Sequence, residues 1–156
     1  FFKKTTLENL LDEIIDNFRE TSAKKISLVT KKDRNKVEFK RTPELVYGLR
    51  NFIGNAVKFS RSNVEIMINS NEEYIEVSIN DDGPGFPDDV VEKLGEPYIK
   101  SKSILVKSNS GTGLGTFLGK TLLERQMANL SFSNKSTLGG ASVNINWKAE
   151  KKKSIV

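Results

Sequence analysis

Histidine and cysteine are both absent from this chain of 156 residues. Their absence excludes the Ser-His-Asp triad, the cysteine nucleophile, the disulfide and the ordinary zinc site. Any metal must be held by oxygen, which favours magnesium or calcium. Proline is scarce, with four residues, and no apolar run approaches the ~18 residues that a membrane helix needs. A signal-peptide pattern is also missing. The remainder, 37% hydrophobic and 29% charged, has the composition of one soluble globular domain. The chain opens at Phe1-Phe2 without a methionine, and the expectation is a fragment of something longer.

The net charge of +5 and the pI near 9.3 raise nucleic acid as a partner. The distribution of the charge argues against it. Residues 148–156 (KAEKKKSIV) carry +3 and residues 24–41 carry +6, so everything else is net acidic. The tail reads as a frayed, solubilising end. In the 24–41 stretch, bases interleave with Ile26, Leu28, Val29, Val37 and Phe39. That is the pattern of a short strand pair with exposed basic sides. No zinc-finger, helix-turn-helix or aromatic RNA-binding motif accompanies it, so no nucleic-acid partner is expected.

Periodicity divides the chain into elements. Thr5 followed by Glu8 is a capping-box signature, and Leu7, Leu10, Leu11, Ile14, Ile15 and Phe18 follow at helical spacing, which predicts a helix over 6–20. Two short strands are expected near 26–30 and 36–40. Thr42-Pro43 starts a second helix, with proline in its first turn, running to about Phe59. Residues 63–69 and 74–80 alternate as a hairpin around Asn71-Glu72-Glu73. A short helix near 88–93 precedes a segment of little regular pattern from about 94 to 112. A third helix, carrying Leu114, Phe117, Leu118, Thr121 and Leu122, reaches about Met127. Strands over 129–134 and 141–147 close the chain. Helices and hairpins in runs, rather than strict βαβ alternation, predict an α+β, two-layer sandwich. Its mixed sheet would be covered on one face by about three helices.

Three motifs carry chemistry. On the second helix, Asn51, Asn55 and Lys58 lie almost opposite the apolar side made by Leu45, Leu49, Phe52, Ile53 and Ala56. A solvated polar face is one reading. Asparagine is a poorer helix former than the Glu, Lys and Gln that such faces prefer, however. Gly48 and Gly54 flank the same face. Carboxamide oxygens can ligate a hard cation and an ammonium can neutralise phosphate. Next, Asp81-Asp82-Gly83-Pro84-Gly85 follows a strand directly, as a tight turn or as a ligand loop. Its glycines permit close backbone approach, and its carboxylate could accept from an exocyclic amine such as that of adenine. Last, Gly111-Thr112-Gly113-Leu114-Gly115 opens a helix, where backbone N–H groups and the dipole favour an anion. It lacks the G-x-G-x-x-G dinucleotide spacing. Gly119-Lys120-Thr121 is not a P-loop either, since its first glycine would fall at Leu114.

Together and in this order, Asn51-x-x-x-Asn55-Ala56-x-Lys58-Phe59, Asp81-x-Gly83-x-Gly85 and Gly111-x-Gly113-Leu114-Gly115 resemble the ATP-binding domain of sensor histidine kinases. That is the Bergerat fold shared with gyrase, Hsp90 and MutL. The likeness runs from about Leu7 to Trp147, which makes residues 1–147 the domain and 148–156 a basic tail. More narrowly, Gly95-Glu96-Pro97-Tyr98 and the run GKTLLERQMANLSFSN look like the RegB/PrrB-type redox-responsive kinases of proteobacteria.

The resemblance implies ATP and Mg²⁺ as cofactors and assigns roles by position. Asn55 would ligate the metal, with Asn51 and Lys58 supporting metal and phosphates as the catalytic set. Phe59 would flank the nucleotide, Asp81 would read the adenine amine, and Gly83 and Gly85 would allow close approach. Residues Gly111, Thr112, Gly113, Leu114 and Gly115 would border the phosphates, and Ser142 would support the adenine end. The loop from about 94 to 112 matches the ATP lid, expected to be mobile without ligand. Its Lys100, Lys102 and Lys107 have no acidic neighbour within 97–110, which suits phosphate contact. Two departures from the family pattern stand out. Thr116-Phe117 replaces the common Leu-Ala, and Gln126-Met127-Ala128-Asn129 lacks the usual His-Gly turn.

Hydrolysing relatives typically carry a water-activating Glu where this chain has Asn51, a carboxamide that is no general base at neutral pH. Transfer to a positioned acceptor is therefore expected. The family's acceptor is a histidine on a separate dimerisation domain, and its further partner is a cognate response regulator. The whole protein is then expected to be a membrane-bound homodimer with this part cytoplasmic, and this fragment to be a monomer. A serine kinase of the anti-sigma type, a Bergerat ATPase and a non-catalytic docking module are the alternative readings.

Overall fold

The computed structural model describes residues 3–31, 38–94 and 111–148, the side chains of 111–115 excepted. In chain order the elements are β1 (Lys4–Thr6), α1 (Leu7–Thr21), β2 (Lys25–Lys31), β3 (Glu38–Lys40) and α2 (Pro43–Phe59). There follow β4 (Asn63–Ser70), β5 (Tyr74–Asp81), α3 (Asp88–Leu94), α4 (Gly111–Glu124), β6 (Asn129–Ser133) and β7 (Ser142–Lys148). The expected lid falls almost wholly on residues 95–110, and the basic tail on 149–156, both outside the described residues.

Helix starts follow side-chain capping. The Thr42 hydroxyl accepts from the Leu45 N–H at 3.2 Å ahead of Pro43. At α1 the cap is Thr6, which accepts from the Asn9 N–H at 3.1 Å. Thr5, the expected cap, instead lies in β1 opposite Phe39, so strand pairing takes the residue that local sequence offered to the helix.

The main sheet has the order β2-β4-β5-β7-β6, and a separate two-stranded sheet joins β1 to β3. β2 runs parallel to β4, and every other neighbour pair in the main sheet is antiparallel. The strands near 26–30 and 36–40 therefore do not pair with each other. Ile26 pairs with Val64 across β2 and β4, and Phe39 with Thr5 across β3 and β1. Alternation sets which face a residue takes but not which strand lies beside it. The parallel pairing also needs a long crossover, which α2 supplies.

One face of the sheet buries Ile66, Ile68, Val77, Ile79, Val143 and Ile145 against α1, α2 and α4. Close packing of α2 on α4 fixes the site. A Cβ at Gly48 would lie 2.6 Å from the Leu123 side chain, so glycine lets the two helices touch. Gly54 faces Phe18 of α1 instead. Both glycines that looked like part of a polar ligand face thus serve helix packing. At the far end of α2, the Lys24 ammonium donates to the last carbonyls, of Val57 and Lys58, satisfying groups that a helix end leaves open.

Candidate functional site

A cavity of about 220 Å³ lies between α2, the end of β5, the 82–87 loop and the start of β7. Its lining is mostly apolar and aromatic, including Phe52, Ile79, Phe86, Val90 and Val143. A full drug-sized ligand needs about 300 Å³ or more, so this space suits a single aromatic base. Three polar side chains mark it, Asp81, Asn55 and Thr116.

Asp81 ends β5 and is buried. Its Oδ1 accepts from the backbone N–H groups of Gly83, at 2.9 Å, and Ala141, at 3.1 Å. Its own carbonyl accepts from the Gly140 N–H and the Ser136 hydroxyl. Every fully buried side-chain nitrogen or oxygen among the described residues has a hydrogen-bond partner. Asp81 Oδ2 has none, so it keeps open contact with the cavity. Burial pushes the Asp81 carboxyl above the usual range, against the two N–H groups that lower it; neighbouring Asp82 adds to the rise and Lys24 opposes it. The site therefore holds an acceptor whose charge is only partly compensated by the protein.

Gly83 and Gly85 act by different physics. A Cβ at Gly83 would collide with the Phe59 carbonyl, so the loop lies directly on the C-terminus of α2. Gly85 has a φ of +86°, which favours glycine. Just before Gly83, Asp82 points away from the cavity and accepts from the N–H groups of Arg61, Ser62 and Asn63 and from the Ser62 hydroxyl. Partial burial raises the Asp82 carboxyl, but these donors outweigh it and hold it well below the usual carboxylate range.

On α2, the Asn55 amide donates to the Thr116 hydroxyl of α4 at 3.0 Å and, more weakly, to Asn51 Oδ1 at 3.4 Å. With its nitrogen so engaged, Asn55 Oδ1 accepts nothing among the described residues and stays available. Among those residues no three acidic side chains gather to hold a metal. A single carboxamide oxygen suits Mg²⁺, which usually keeps several waters and binds mainly through substrate phosphates. Phe59 is part exposed and lines the cavity. The exposed Lys58 lies outside the lining, its Nζ 5.3 Å from the Phe59 ring centre.

Asn51 sits beside α4, where its Oδ1 would lie 3.1 Å from a Cβ at Gly119. Gly111 to Gly115 form the first turns of α4. Ser142 begins β7 opposite Asn80, and the cavity is lined by its neighbours Ala141 and Val143 rather than by Ser142. Lys100, Lys102 and Lys107 lie outside the described residues. The fold thus brings Asn55, Phe59, Asp81 and Gly85 to the wall of one cavity, while Asn51 and Gly83 stay outside the lining and touch it through Asn55 and Asp81.

A family model described as histidine kinase-, DNA gyrase B- and HSP90-like ATPase matches residues 40–151. The chain belongs to that family. Sensor histidine kinase RegB of Cereibacter sphaeroides is 41% identical over 99 residues, which make up 60% of this chain and 21% of RegB. Sensor histidine kinase CpxA of Escherichia coli K12 is 26% identical over 92 residues, 59% of this chain and 20% of CpxA. The chain spans about a fifth of the length of these curated relatives. The catalytic domain of histidine kinase ThkA has the same fold, with a TM-score of 0.74 at 21% identity, over 96% of this chain and 98% of that one. So does the ATP-binding domain of PrrB from Mycobacterium tuberculosis, with a TM-score of 0.65 at 22% identity, over 94% and 96%. The likeness to histidine kinase ATP-binding domains read from the three motifs is borne out, including its RegB-type character.

Within this histidine kinase-like domain, several residues carry the site without a signal in the motifs. Thr116 holds Asn55, and its replacement of the common leucine was the visible clue. Ala141 and Gly140 hold Asp81 through backbone N–H groups, which no side-chain pattern announces. Phe86 and Val90 complete the apolar lining. Asn134 meets Phe86 across 48 residues of sequence.

Proposed function

We propose that this chain binds MgATP and donates the γ-phosphoryl group to a histidine on a separate dimerisation domain, as the catalytic part of a sensor histidine kinase. The observation that carries the reading is the open Oδ2 of Asp81 at the wall of a base-sized apolar cavity. An adenine amine there gives the buried carboxylate the donor it lacks, while ring faces meet Phe52, Ile79 and Phe86. From that seat the phosphates run toward Asn55, whose free oxygen is a ligand for Mg²⁺. Bound Mg²⁺ neutralises phosphate charge and orients the γ-phosphoryl group.

The Thr116 hydroxyl and Asn51 keep the Asn55 carboxamide turned, and Lys58 is an exposed cation near the same end. Asn51 supplies no general base, so water attack is slow and a positioned nucleophile is favoured. This chain contains no histidine, so the acceptor belongs to another segment, the dimerisation domain of the same full-length protein. The phosphoryl group then passes to a response regulator. Among the described residues no helix is long and apolar enough to cross a membrane. The domain is assigned as the cytoplasmic, monomeric part of a dimeric inner-membrane sensor.

The test mixes this chain with a separately produced dimerisation domain and labelled MgATP. Acid-labile label on the added domain is expected. Acid-stable label would indicate a serine kinase, phosphate release without acceptor an ATPase, and absence of nucleotide binding a docking module; each outcome overturns the proposal.

A further inference from the structure

The cavity wall between Gly85 and Pro87 is held by a side chain far away in sequence. Asn134, just beyond β6, accepts from the Phe86 N–H through Oδ1 at 2.7 Å and donates to the Phe86 carbonyl through Nδ2 at 2.9 Å. One exposed carboxamide thus pairs with both backbone groups of Phe86, as a neighbouring strand would. The approach is close enough to decide the residue beside it. A Cβ at Gly85 would lie 2.7 Å from Asn134 Oδ1, apart from the positive φ that already favours glycine there. The Phe86 ring then stands edge-on to Phe132, with centroids 6.1 Å apart, and Phe132 packs on Phe52 at 5.8 Å. Phe52 and Phe86 both line the cavity. Asn134 itself does not.

We propose that Asn134 is a positioning residue for the nucleotide base, acting through the Phe86 backbone to set the wall of the cavity on which the base lies. The inference rests on the nucleotide-binding reading given above. The other end of the loop is pinned independently, by Asp82 on the turn at 61–63. Only Gly83 to Gly85 span the two pins, so release of Asn134 lets Phe86 leave its place while Asp81 keeps its own hydrogen bonds. The effect falls on the base end. It does not depend on how many phosphates follow or on the metal.

The test measures Kd for adenosine, ADP and ATP, with and without Mg²⁺, together with the unliganded Tm of the 156-residue chain. Asn134→Ala is expected to raise all the Kd values by a common factor, about 5- to 10-fold, as for one or two ordinary hydrogen bonds. The unliganded Tm should stay within about 2–4 °C. Asn134→Asp keeps the acceptor for the N–H but sets a carboxylate against the Phe86 carbonyl, and should bind no better than the alanine variant. Gly85→Ala should cost less additional affinity in the Asn134→Ala background, because the oxygen that its Cβ would meet has gone. A merely structural asparagine would lower Tm and leave every Kd unchanged. That result, or a loss confined to ATP with Mg²⁺, would overturn the inference. A wild-type chain that binds no adenine nucleotide would instead sink the functional reading, and the inference with it.

Discussion

The Asn55 amide reaches the Thr116 hydroxyl at 3.0 Å, bridging the seam where α2 packs on α4. This contact orients the carboxamide of Asn55, a cavity-lining residue whose oxygen has no partner among the described residues. Thr116→Val removes the acceptor at nearly constant shape. It is expected to lower Mg²⁺-dependent ATP affinity about 3- to 10-fold, the worth of one net hydrogen bond of about 1 kcal/mol. Binding of adenosine, which offers no phosphate, should be unchanged. Calorimetric titration of both ligands checks this, and equal losses for both would refute a role confined to the metal end.

Asp81 and Asp82 are neighbours with opposite linkage. Because burial raises the folded Asp81 carboxyl above its ordinary value near 3.8, its contribution to stability is present below that value. It is lost as pH rises through the raised one. Asp82, held low by the 61–63 donors, contributes stability above about 3.8 that is lost as pH falls toward its depressed value. Asp81→Asn keeps an Oδ1 for Gly83 and Ala141 but turns a donor toward the cavity. Nucleotide affinity should fall roughly 10- to 100-fold, as for a charge-assisted hydrogen bond, while the unliganded Tm at pH 7 rises. Asp82→Asn should flatten the loss of stability between pH 5 and 3. Thermal melts across pH are the measurement, and a lower Tm for Asp81→Asn at pH 7 would contradict the charge penalty.

Met127 is the non-glycine residue with positive φ among the described residues, at 67°. It follows α4 in a Schellman arrangement, with the Ala128 N–H on the Leu123 carbonyl and the Met127 N–H on that of Glu124. The residue is 82% exposed, so little packing offsets the left-handed backbone. Met127→Gly is expected to stabilise the domain by about 1 kcal/mol, seen as a Tm increase of roughly 2–4 °C. No gain in Tm would mean that the backbone is unstrained there.

How much of this was legible beforehand depends on the range of the interaction. Asn51 and Asn55 lie one helical turn apart, and Asp81 and Gly83 two residues apart, so their grouping within motifs is a local fact. The hairpin around Asn71 was legible too, because Asn71 Oδ1 organises its own turn by accepting from the Glu73 and Tyr74 N–H groups. The partnership of β2 with β4 was not, since Ile26 and Val64 are joined only once α2 has crossed between them. Gly48 and Gly54 misled for the same reason. From the sequence they flank a polar face, whereas in space each accommodates a side chain of another helix, Leu123 or Phe18.

The sequence by itself determined the chemistry on offer: no histidine to accept phosphate, no cysteine, oxygen ligands only, and three glycine- or asparagine-bearing motifs in a fixed order. It also determined most elements, because helical and strand periods are local properties of the chain. Only the tertiary structure decided which groups remain unpaired. Ala141 saturates one oxygen of Asp81 and leaves the other open, Thr116 turns Asn55, and Asn134 sets Phe86. Each is a contact between segments distant in sequence, formed by packing and hydrogen-bond satisfaction in three dimensions, which no spacing along the chain encodes.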